Sequence, residues 1–82
     1  MKNKSVSKSE LAKHTSADDL WICILGVVYD LSHFDHPGGK EILLSVSGRD
    51  ATSTFLNFHN KNTVKLLQTS QVIFFFFFFF FF

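Results

Sequence analysis

The sequence contains one cysteine, Cys23, one proline, Pro37, and four glycines. A single cysteine excludes an internal disulfide and argues against a Cys-based zinc site. Charge of either sign is scarce too: eight Lys and Arg against seven Asp and Glu give a net charge of +1. Most lysines lie near the N-terminus (Lys2, Lys4, Lys8, Lys13) or after His59 (Lys61, Lys65), so there is no long basic stripe and nucleic acid is not an expected partner. Met1 to Ser9 is almost wholly polar and lacks the apolar core of a signal peptide. Together with the lone cysteine, this predicts a reducing, cytosol-facing setting.

Nine of the twelve phenylalanines form one unbroken run, Phe74 to Phe82. This divides the chain into a globular part, 5–73, and a low-complexity tail, 74–82. Nine residues span about 14 Å as a helix, against about 30 Å of hydrocarbon, so the run alone cannot cross a membrane. As a strand it would be an aggregation hazard. It reads as a truncated or misread coding sequence, with a membrane-dipping tail as the alternative. Val72, Ile73 and Phe74 or Phe75 are the residues expected to join a sheet, so the rest of the run should be dispensable. A globular part this short has a thin core and calls for a staple. With disulfides excluded, a bound cofactor is the candidate that remains.

Ser7-Lys8-Ser9-Glu10 has the form of a capping box and opens a short helix that fades near His14. His14 itself reads as a solvated helix-end residue. Leu20 to Leu31, rich in Trp, Ile, Val and Tyr and interrupted at Gly26, predicts two strands joined by a tight turn. Trp21 and Tyr29 are expected in a secondary cluster, and Cys23 as a strand residue rather than a reactive thiol. Lys40 to Ser47 reads as a helix ended by Gly48, with Ile42, Leu43 and Val46 on one face. Asp50 can cap a second helix in which Ala51, Phe55 and His59 recur four apart and share a side. Asn60 or Asn62 can cap a third, carrying Val64, Leu66 and Leu67. Gln71-Val72-Ile73 starts a closing strand. The order is helix, two strands, three helices, strand: an α+β domain with segregated helices.

His36-Pro37-Gly38-Gly39, with His59 downstream, carries the chemistry. Haem needs a flat apolar slot and nitrogen ligands entering from opposite sides. A histidine on a loop stiffened by proline can enter from one side. The glycines remove side chains where backbone would crowd the ring, and they permit positive φ. A helical hairpin can carry the second histidine to the opposite face. Ile42, Leu43, Ala51, Phe55 and Phe58 are the right kind of wall, the small Ala51 included.

Trp21-Ile22-Cys23-Ile24, Val28-Tyr29-Asp30-Leu31, His36-Pro37-Gly38-Gly39, Gly48-Arg49-Asp50-Ala51-Thr52 and Phe55-Leu56-Asn57-Phe58-His59 occur in that order. In this the chain closely resembles the cytochrome b5 family, from about Val6 to Ile73. The resemblance implies a small mixed sheet with helical hairpins enclosing haem b, with iron held by His36 and His59. It implies that Phe34, Ile42, Leu43, Phe55 and Phe58 line the pocket and that Asn60 lies near a haem propionate. Function would be single-electron transfer without catalysis, from a flavoprotein reductase to a membrane oxidase or desaturase. The interval from Phe55 to His59 looks more like domains fused to desaturases, hydroxylases or reductases, so the chain also reads as a fragment of a larger membrane oxidoreductase. Membrane contact would come through the tail or a missing C-terminal region, with the endoplasmic reticulum as the expected membrane. Two features depart from the pattern. Only Asp35 separates Phe34 from His36, where the family usually has three residues, and the closing strand runs into phenylalanine after Ile73.

Overall fold

A computed structural model describes residues 5–73 and 75–76, with side chains through Leu67. The expectations for Phe74 and for 77–82 lie outside the described residues. The elements are β1 (Ser5–Val6), α1 (Lys8–Leu11), β2 (Thr15–Ser16), β3 (Asp19–Ile24), β4 (Val27–Asp30), α2 (Lys40–Ser45) and α3 (Thr52–Phe58). A 3-10 helix (Lys61–Ser70), β5 (Gln71–Ile73) and β6 (Phe75–Phe76) complete the fold. The α+β expectation holds, with two additions. Thr15–Ser16 is a strand, and Phe75–Phe76 pairs in parallel with Ser5–Val6. Neither short strand carries a periodic signal; each exists only because a partner lies alongside.

Strands β2-β3-β4-β5 form one antiparallel sheet. The β3–β4 hairpin turns at Leu25-Gly26 with φ of 53° and 82°. Gly26 takes that geometry freely, whereas Leu25 holds it against a steric cost, helped by the Thr52 hydroxyl, which accepts its N–H (2.8 Å). Along β3 the side chains alternate between two clusters. Leu20, Ile22 and Ile24 pack with Tyr29, Leu31, Leu43, Ala51 and Leu67 under the helices. Cys23 faces the other way, with Val6, Leu11 and Val28, and Trp21 packs against that group. Trp21 therefore sits in the secondary cluster as expected. Tyr29 does not: alternation along β4 turns it to the main core.

The helices follow their capping residues closely. Ser7 Oγ accepts the Glu10 N–H (3.0 Å) and starts α1. Asp50 accepts the Thr52 N–H (3.1 Å) and hydroxyl (2.6 Å), starting α3 from one residue before its backbone N-cap, Ala51. Asn60 accepts the Asn62 N–H (2.8 Å) at the head of the last helix, which is 3-10 rather than the expected α.

His14 differs from its sequence reading. Its ring stacks on Trp21, centroids 3.6 Å apart and planes within 5°. Nδ1 donates to Asp19 (2.6 Å) and Nε2 to Glu10 (2.9 Å). The Glu10 carboxylate thus reaches forward to His14 and Lys13 instead of closing the capping box. A ring that donates from both nitrogens is an imidazolium. Burial opposes its charge, but the hydrogen bonds to Asp19 and Glu10 outweigh that, and its pKa lies above 6.5.

The sign of the linkage follows. His14 stabilises the fold fully below the unfolded pKa near 6.5, and that stability is lost as pH rises through the higher folded value. Urea midpoints measured from about pH 6 to pH 9 should fall in the parent and change less in His14→Gln. Equal slopes would show that the ring is uncharged in the folded state.

Candidate functional site

The main cluster does not close. Between the sheet and the helices lies a cavity of about 690 Å³, lined almost entirely by apolar side chains. Ile22, Ile24 and Leu31 contribute from the sheet, Phe34 and His36 from the loop after β4, and Ile42, Leu43 and Val46 from α2 and its end. Ala51, Phe55, Phe58 and His59 contribute along and beside α3, and Leu66 and Leu67 from the 3-10 helix. A hollow of this size and polarity is typical of a site for a bulky apolar ligand. Phe58 is 79% exposed, Leu66 72% and Ile42 51%. Large apolar side chains left this open around a hollow are surface that a ligand would cover.

The i, i+4 spacing on α3 places its residues as the sequence predicts. Phe55 N–H donates to Ala51 O and His59 N–H to Phe55 O (2.8 Å each), so all three stack on the cavity side. The backbone leaves the helix at His59 (φ −136°, ψ 150°), and the Phe55 and His59 rings lie 4.9 Å apart.

His36 is held differently. Gly39 N–H donates to His36 O (2.9 Å), closing a turn, and Gly38 N–H donates to His36 Nδ1 (2.9 Å). With Nδ1 accepting, the neutral ring carries its proton on Nε2, so binding a metal there requires that proton to move to Nδ1 and this bond to be given up. A Cβ at Gly38 would come within 2.6 Å of Ile42 Cδ1 and 3.0 Å of His36 Cε1, and Gly39 has φ +99°. Gly39 is required by its conformation, while a side chain at Gly38 would have to displace the end of Ile42 or the His36 ring.

The His36 and His59 rings reach the cavity from two different segments, with centroids 6.3 Å apart and planes at 84°. Two imidazoles on opposite sides of one metal, at about 2.0–2.1 Å per nitrogen, hold their ring centres about 6 Å apart. Spacing, donor type and apolar walls all fit an iron porphyrin.

Every expected wall residue, Phe34, Ile42, Leu43, Ala51, Phe55 and Phe58, lines the cavity. Asn60, expected near a haem propionate, caps the last helix through Asn62 with its side-chain oxygen, and its carbonyl accepts from Thr63 (2.9 Å). Phe34 reaches the wall despite the short interval before His36, because its N–H bonds to Leu31 O (3.2 Å) and folds the chain back early. Sequence reasoning missed the sheet residues Ile22, Ile24 and Leu31. The alternation in β3 was the available signal, since it sets those isoleucines on one face. Cys23 is buried away from this cavity, and burial pushes its thiol up to about 12, so it is inert as expected.

Comparisons with known proteins agree with this geometry. The profile described as "Cytochrome b5-like Heme/Steroid binding domain" matches residues 7–73. Cytochrome B5 isoform D of Arabidopsis thaliana is 44% identical over 66 residues, covering 78% of this chain and 47% of that protein. The Delta(5) fatty acid desaturase A of Dictyostelium discoideum is 48% identical over 58 residues, covering 68% of this chain and 12% of the desaturase. Among solved structures, the cytochrome b5 of Ostreococcus tauri virus 2 superposes with a TM-score of 0.70 at 43% identity, over 74% of this chain and 70% of the other. The chain thus spans about half the length of the plant relative and a small fraction of the desaturase. With the profile covering all but the two ends and the paired histidines facing one apolar cavity, the chain belongs to the cytochrome b5-like haem/steroid-binding domain family.

Proposed function

We propose that the chain holds haem b between His36 and His59 and passes single electrons between redox proteins. Haem binding and electron transfer follow from the family, whose cytochrome b5 members are carriers rather than enzymes. The observation that carries the ligand assignment is the pair of imidazoles 6.3 Å apart in an apolar cavity. It also favours haem over a steroid, which has no use for two metal-binding nitrogens. The bound iron supplies one electron at a time by cycling between ferric and ferrous states. The protein's part would be to hold the iron with His36 and His59 and to keep water from it with Ile42, Leu43, Phe55 and Phe58.

A second reading has support in the desaturase relative, in a cytochrome b5 reductase-like protein and in a nitrate reductase, each matched over a small share of its length. Here the domain feeds electrons to a catalytic domain in the same longer protein, facing the cytosol. Among the described residues no helix is long and apolar enough to cross a membrane.

Purified protein loaded with haem should show a six-coordinate, low-spin spectrum. His36→Ala and His59→Ala should each weaken haem retention and open a site for carbon monoxide. Parent-like spectra in both variants would overturn the assignment. Because only neutral imidazole binds metal, acidification should release haem as protons compete for both ligands.

Charge near the site is sparse and mixed: Lys40 adjoins Glu41, and Asn57 precedes His59. With screening over about 8 Å at physiological salt, steering of a partner should be weak. Tethering to an acceptor would replace it by effective concentration. Electron-transfer rates with a flavoprotein reductase should therefore fall only gently as ionic strength rises, and a steep fall would contradict this.

A further inference from the structure

The His36 loop begins at a firmly anchored residue. Ser32 is 7% exposed, and its hydroxyl accepts the N–H of Leu20 (2.9 Å) from β3. The same hydroxyl donates to Asp30 Oδ1 (2.5 Å), which also accepts the Ser32 N–H (3.0 Å). Ser32 is thereby tied to the sheet on both sides. Its carbonyl oxygen in turn accepts a hydrogen bond from the amine of Lys40, the first residue of α2. The segment between these two residues carries Phe34 and His36.

A cation is out of place at the first position of a helix, where the backbone dipole presents its positive end. In this position Lys40 is half-buried, and its stem runs back across the loop mouth to a carbonyl. A lysine stem has four rotatable carbons and is costly to immobilise. The charged donor gains a carbonyl acceptor at the part-buried mouth of the loop.

We infer that Lys40 is a positioning residue for the axial ligand His36: its bond to Ser32 O clasps the two ends of the ligand loop. Inside the clasp, local bonds set the shape. Phe34 N–H to Leu31 O folds the entry, and Gly39 N–H to His36 O joins His36 to the N-cap of α2. These bonds fix the loop's exit on α2 but do not tie its entry at Ser32 to that helix. The Lys40 bond does, and so holds the depth at which the imidazole enters the cavity.

This inference rests on the proposed ligation by His36, and the test separates the two. Haem-loaded Lys40→Met keeps the apolar stem and removes the donor, while Lys40→Arg keeps a charged donor. Haem transfer to excess apomyoglobin should be about tenfold faster in Lys40→Met, the size expected for loss of one hydrogen bond to a charged group. The ferric low-spin EPR signal, whose anisotropy follows the relative orientation of the two imidazole planes, should shift in Lys40→Met. Lys40→Arg should restore both. Should Lys40→Met give no soluble haem protein, Lys40→Gln is read by the same criteria. A parent without low-spin haem would overturn the ligand assignment itself. A low-spin parent with unchanged transfer and EPR in Lys40→Met, or a failure of Lys40→Arg to restore them, would overturn only the role of Lys40.

Discussion

A domain this small ordinarily stabilises itself by filling its interior, and here the interior is kept open. Ile22, Ile24 and Leu31 on the sheet face Leu43, Phe55 and Leu67 across a hollow of about 690 Å³. Side chains lining such a hollow present apolar surface for a bound group to pack against. A group that binds there would contribute directly to folding stability, as linkage requires. The short helices α2 and α3 and the 3-10 helix are walls as much as they are core.

The remainder of the stabilising contacts sits on the other face of the sheet. Val6, Leu11, Cys23 and Val28 form a closed cluster with Trp21 against it, and the His14 imidazolium lies flat on that indole between Asp19 and Glu10. Two tasks are thus assigned to the two faces of one hairpin. The odd-numbered β3 residues Trp21 and Cys23 serve the solid side, and the even-numbered Leu20, Ile22 and Ile24 serve the hollow side. The pH-sensitive contact is consequently remote from the haem site in its connectivity, and the two can vary separately.

The two histidines are presented by unlike devices. His59 sits at the end of a helix and inherits its direction from Phe55 and Ala51. His36 sits on a loop and depends on backbone donors, on two glycines, and on the anchoring of Ser32 and Lys40. One histidine is placed by periodicity and the other by a tertiary contact. In a domain that recurs within longer oxidoreductases, such a loop can change without disturbing the sheet beneath it.

What the sequence determined by itself is what local physics controls. The cap at Ser7, the hairpin at Gly26, the alternation in β3 and the spacing of Ala51, Phe55 and His59 all act within a few residues, so they were legible in order. The His-Pro-Gly-Gly motif was legible too, since a proline followed by glycines marks a stiff turn that takes positive φ, as Gly39 does at +99°. Tertiary structure decided the rest. The short strands β1, β2 and β6 exist only through their partners. His14 became a half-buried cation because Asp19 and Trp21, both on β3, arrived beside it. Lys40 found Ser32 across a loop for the same reason: pairings between residues on different elements depend on how the chain is packed, and no periodicity records them.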